Sequence, residues 1–186
     1  MKNVIMRLVL RPFCWAASLL ALTAIYGQPT PSGGNSPEPK NQAWTKRAWE
    51  SLAQGKWTEA IDFAQKCIDE FGDDATDMQK VLIDEKAHEP PIGNVADPTE
   101  KAKIFDRGPL NDVCACYYIQ GEAFQELASR EKDEQKTKDL LKKSVDAYGK
   151  AAGYKFARTW DPNGWFWSPA KKAEQRKRKV EKLLKE

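Results

Sequence analysis

Between residues 41 and 72, apolar positions recur at helical spacing. Trp44, Ala48 and Leu52 lie four apart, with Trp49 adjoining. Gly55 breaks the pattern, and Trp57, Ala60, Ile61, Ala64, Cys67, Ile68 and Phe71 resume it. This predicts a helix, a tight turn at Gly55-Lys56 and a second helix packed antiparallel on the first. Gly72-Asp73-Asp74 carries turn chemistry and is expected to end that second helix.

A similar pattern returns over 111–154. Asn111 is a candidate cap, Tyr117, Gly121 and Phe124 share one face, and Ala123 lies beside them. The polar stretch ASREKDEQKTKD follows. Leu140, Leu141, Val145, Tyr148, Ala151 and Ala152 then form another amphipathic run. Met78, Val81 and Leu82 predict an extra helix between the two units, over 75–87. Residues 88–110 are broken by Pro and Gly and read as an ordered loop, or a short helix around Glu100 to Phe105. Ser168 can cap a last helix and Pro169 suits its first position. Ala173, Val180, Leu183 and Leu184 give that helix one apolar side. No long stretch alternates apolar with polar residues, so the chain is expected to be all-α.

The two hairpins resemble the tetratricopeptide repeat. The first, WTKRAWESLAQGKWTEAIDFAQKCIDEFG, has an aromatic at Trp44, small residues at Ala48 and Cys67, the turn Gly55-Lys56-Trp57, and the pair Ala60-Ile61. In the second, Tyr117, Gly121, Phe124, Tyr148 and Ala151 fall in place. It departs at Ser144, which stands where the first unit has Ala60, and its helix–helix connection is longer than the family's. The resemblance implies a tetratricopeptide-like α-solenoid over 41–186, with the extra helix between its units and the last helix capping the stack. It also implies a groove lined by the first helix of each unit. The groove-facing residues would be Gln42, Thr45, Trp49 and Leu52 from one unit and Tyr118, Glu122, Gln125 and Glu126 from the other. The carboxylate clamp of some family members is missing, because Trp, Tyr and Glu stand in its place. A groove aromatic at one end and acidic at the other suits a basic or apolar partner segment.

Composition divides the chain. Lys2, Arg7 and Arg11 precede Phe13–Tyr26, an apolar run of 14 residues. That run is short of the roughly 20 residues of a membrane span and suits a signal peptide over 1–27. An uncleaved anchor is the alternative. Residues 28–40 hold four Pro, two Gly and two Ser and read as a linker. Of 30 Lys and Arg, three lie in the first 27 residues, which hold no acidic residue. The remainder balances at 27 against 27. The basic excess belongs to the targeting segment and gives no support to nucleic-acid binding. The expected location is outside the cytoplasm, periplasmic or extracellular.

Candidate chemistry is sparse. Cys67, Cys114, Cys116 and the single His88 make a poor zinc site and read as core cysteines, with a bridge from Cys67 to Cys114 or Cys116 as the alternative. No phosphate-binding glycine loop and no nucleophile beside His88 is found. No cofactor, metal or catalytic residue is assigned. The basic C-terminal run has interleaved Glu174, Glu181 and Glu186, as a solvated helix face does. One stretch stands out, RTWDPNGWFWSPA over 158–170. Trp160, Trp165 and Trp167 could stack a sugar ring if exposed and coplanar, or could seal a junction. In extended backbone Trp165 and Trp167 point one way and Phe166 the other. Two functions follow, an exported scaffold binding a protein segment, or a carbohydrate-binding or carbohydrate-active accessory; a hydrolase with paired carboxylates is a third reading.

Overall fold

The computed structural model describes residues 38–185. The expected signal peptide and most of the linker lie outside the described residues. Six helices occur among them: α1 Lys40–Ala53, α2 Trp57–Asp84, α3 Pro98–Phe105, α4 Gly108–Arg130, α5 Glu134–Gly153 and α6 Pro169–Leu183. Each long helix packs on the next, α1 on α2, α2 on α4, α4 on α5 and α5 on α6, and α1 also touches α4.

Gly55 turns the first hairpin at φ +72°, a left-handed conformation open to glycine. Ser168 caps α6 by accepting from Lys171 N at 3.2 Å, with Pro169 in the first turn.

Three local expectations fail. Gly72-Asp73-Asp74 does not end α2, which runs on to Asp84 and takes in the expected extra helix. A glycine inside a helix costs about 1 kcal/mol. The continuation outweighs this by burying Ala75 and packing Met78 and Leu82 on the core. Asn111 does not cap α4, which starts three residues earlier at Gly108. The connection between α4 and α5 is also short. Asp133 caps α5 by accepting from Lys136 N at 2.8 Å, so the polar stretch is mostly helix.

The chain is not purely helical. β1 (Gly93–Asn94), β2 (Thr159–Trp160) and β3 (Trp165–Trp167) form an antiparallel sheet in the order β1-β3-β2. Phe166 pairs with Gly93 on one side and Trp160 on the other. The Asp161–Gly164 turn closes β2 onto β3, with Gly164 N donating to Asp161 O at 3.0 Å.

The core is organised around α4, whose residues Leu110–Cys116 are all buried. One side meets α1 and α2 through Val113, Cys116 and Ile119. The other meets α5 and α6 through Leu110, Cys114 and Tyr118. Phe166, Val95 and Ile104 form a small third cluster under the sheet. Cys67, Cys114 and Cys116 are buried free thiols, as core cysteines should be. Burial pushes the Cys114 and Cys116 thiols up.

Arg158 fastens the sheet segment to the bundle. It is 1% exposed, and its guanidinium is ringed by carbonyls, with the Glu89 carboxylate farther off at 3.9 Å from Nη2. Nε donates to Pro90 O and Pro91 O, at 2.9 and 3.2 Å. Nη1 donates to Ala157 O and Lys155 O, and Nη2 donates to Pro90 O. Its own N–H donates to Asn111 Oδ1 at 2.8 Å.

Candidate functional site

A pocket of about 190 Å³ opens where α1, α4 and the β2–β3 segment converge. Gln42, Thr45 and Trp49 reach it from α1, at positions that share one helical face. Asn111, Asp112 and Ala115 come from α4. Arg158, Thr159, Trp160, Asp161, Pro162 and Trp167 close the third side, and Glu38 and Lys46 complete the lining. Two regions that are far apart in the sequence therefore meet in one cavity: the first helix of the first hairpin and the tryptophan-rich stretch.

The indoles hold fixed places. Trp49 and Trp167 meet edge to face at 6.3 Å. Trp160 packs on Phe105 at 4.9 Å and Phe166 at 5.7 Å. Phe166 is 1% exposed and holds β3 down, while Trp165 is 53% exposed and lies over Gly93. The three tryptophans of the stretch thus do not share one exposed plane.

Asp112 is a buried carboxyl on the pocket lining. Asn41 Nδ2 donates to its Oδ2 at 2.6 Å. Desolvation pushes the group up to about 7, against the lowering effect of hydrogen bonds from Asn41 and Thr45. Glu38, a second carboxylate, raises it further. Asp112 therefore changes charge near neutrality, a behaviour that concentrates at functional sites. The lining also holds the carboxyls of Glu38 and Asp161 and the hydroxyls of Thr45 and Thr159, whereas His88 is exposed and outside it.

The other groove-facing residues go elsewhere. Tyr118 is buried between Trp49, Tyr148 and Trp167. Glu122 accepts from the Tyr148 hydroxyl at 2.8 Å and sits 2.9 Å from Arg176 Nε of α6. Gln125 lies 3.4 Å from the same hydroxyl, and Glu126 pairs with Arg130 at 2.6 Å. Leu52 packs half-buried against the α1–α2 cluster. The acidic end expected of the groove is thus taken up by the chain's own hydroxyl and arginines, with α6 lying across Glu122.

Asn111, Asp112, Glu38, Lys46 and Arg158 are site residues that sequence reasoning missed. The signal for the first two was a polar pair heading the apolar run VCACYYI, where a polar side chain must face a partner or a cavity. Among the described residues no group of His, Cys, Asp and Glu could hold a metal ion, and no helix is long and apolar enough to cross a membrane. No family model, no curated protein and no solved structure matches the chain.

Proposed function

We propose that this chain is a non-enzymatic binding module, an exported helical-repeat adaptor that takes a segment of a partner protein at the α1–α4 pocket. The observation that carries it is the meeting of Gln42, Thr45 and Trp49 with Trp160 and Trp167 around one open cavity. The hairpins α1–α2 and α4–α5, with α1 against α4, are consistent with two degenerate tetratricopeptide-like repeats capped by α6. Pockets with apolar walls and few placed polar groups are the usual form of a recognition site. The oligosaccharide alternative needs exposed coplanar indoles, and of the three in the stretch only Trp165 is largely exposed.

The test is selection of peptides from a displayed random library against the full-length chain, alongside a glycan array. Peptides should be enriched, and Gln42→Arg, which adds bulk and charge at the pocket wall, should abolish their binding. Enrichment of glycans alone, or peptides indifferent to Gln42→Arg, would refute the proposal.

A further inference from the structure

The pocket's charge and its indoles point to a more specific occupant. We propose that it recognises a single cationic side chain, a lysine or arginine of a partner polypeptide, held by the Asp112 carboxylate and the indoles of Trp49, Trp160 and Trp167. This rests on the binding-module reading above and specifies the partner of the same site.

Two independent observations carry it. The first is the imbalance of charge around Asp112. Among the described residues neither Asp112 nor Glu38 has an ion-pair partner. The charged neighbour acting on Asp112 is another carboxylate, Glu38. The cations of the lining do not answer it. Arg158 spends its guanidinium on the carbonyls of Pro90, Pro91, Lys155 and Ala157. Lys46 forms no ion pair and is not among the influences on Asp112. Asp161 is turned onto its own loop, where its Oδ1 accepts from Asn163 N and Trp165 N. Cys116, the remaining titratable neighbour on α4, is a buried thiol pushed up by desolvation and stays neutral.

The second observation concerns the tryptophans. Elsewhere the chain's own cations sit over its indoles. Arg130 lies 3.8 Å from the Trp57 ring centroid, and Arg47 and Lys66 lie over Trp44 at 5.3 and 5.2 Å. Among the described residues no cation lies over Trp49, Trp160 or Trp167. Indole faces attract cations, most strongly where water is excluded. A side chain with an apolar stem and a charged tip matches a lining of this kind.

The experiment is calorimetric titration of the full-length chain with Ac-Gly-Gly-X-Gly-Gly-amide, where X is lysine, arginine, norleucine or glutamate. Lysine or arginine should bind and norleucine and glutamate should not. Affinity should rise between about pH 5.5 and pH 8.5 as Asp112 ionises. Asp112→Asn should weaken binding by about tenfold or more, the scale of one charge-assisted hydrogen bond, and should remove the pH dependence. Asp112→Asn deletes a buried charge and keeps an acceptor for Asn41, so its fold is not at risk; Glu38→Gln gives a smaller loss at the rim. Norleucine binding as well as lysine would overturn the cationic assignment and leave peptide docking standing. Binding of none of the four, or an Asp112→Asn affinity equal to wild type, would also overturn it.

Discussion

Trp49 of α1 and Trp167 of β3 meet edge to face at 6.3 Å, and both touch the ring of Tyr118 on α4. The contact joins the first helix of the bundle to the strand that leads into the last one. It also forms one corner of the pocket, so stability and the site share the same rings. Trp167→Ala should therefore destabilise the fold by about 2–3 kcal/mol, somewhat under the range for a fully buried tryptophan. Urea unfolding measures it, and a change below about 0.5 kcal/mol, the surface range, would show that the corner carries little.

Gly121 tests the close approach of α4 and α5. A Cβ there would lie 2.5 Å from the Tyr148 ring. Replacing a helical glycine by alanine gains about 1 kcal/mol where space allows. Overpacking a tight core costs about 1–3 kcal/mol or more, and Tyr148 is fully buried with its hydroxyl tied to Glu122. The clash should win, so Gly121→Ala should lower the thermal midpoint. A raised midpoint would contradict the packing described.

Asp112 sets a pH dependence of stability. Its folded value of about 7 lies above the ordinary 3.8. Between these values the native state holds a proton that the unfolded chain has lost, so stability falls as pH rises and the loss is complete above about pH 7. The full difference corresponds to roughly 4 kcal/mol. Asp112→Asn should match wild type near pH 4 and exceed it by a few kcal/mol near pH 8.5 in paired urea titrations. Equal stability at both pH values would mean that the carboxyl is not desolvated.

Arg158 should resist even conservative change. Its fork reaches the carbonyls of Pro90, Pro91, Lys155 and Ala157. Arg158→Met strands these acceptors, at about 1–3 kcal/mol for each one left buried and unmet. Arg158→Lys should rescue little, because an ammonium has three donors and no planar fork. Unfolding midpoints of both variants decide it; a lysine variant close to wild type would show that charge rather than geometry matters.

The helices were legible because packing against a core imposes the 3.6-residue period, as at Trp57, Ala60, Ala64 and Cys67. Gly55 and Ser168-Pro169 were legible because their chemistry is local. Gly72 misled because its local cost is smaller than the gain from burying Ala75 and packing Met78 and Leu82, a tertiary gain that no short window contains. Asp133 was hidden in a charged stretch, although an aspartate heading a helical run is a cap. The sheet was invisible because strands of two or three residues are too short to show alternation. At the site, the α1 residues and the tryptophan stretch were each singled out, but for different functions. That they face one cavity depends on the long-range contact of Trp49 with Trp167, and Asp112 passed as a neighbour of a presumed cap.

The most direct test of the central claim is to follow the indole N–H resonances of the full-length chain by ¹H–¹⁵N NMR while adding a library-selected peptide. Trp49, Trp160 and Trp167 line the pocket, whereas Trp44 and Trp57 lie outside it. The account predicts saturable shifts of the first three with the last two unmoved. Shifts confined to Trp44, Trp57 or Trp165 would contradict it.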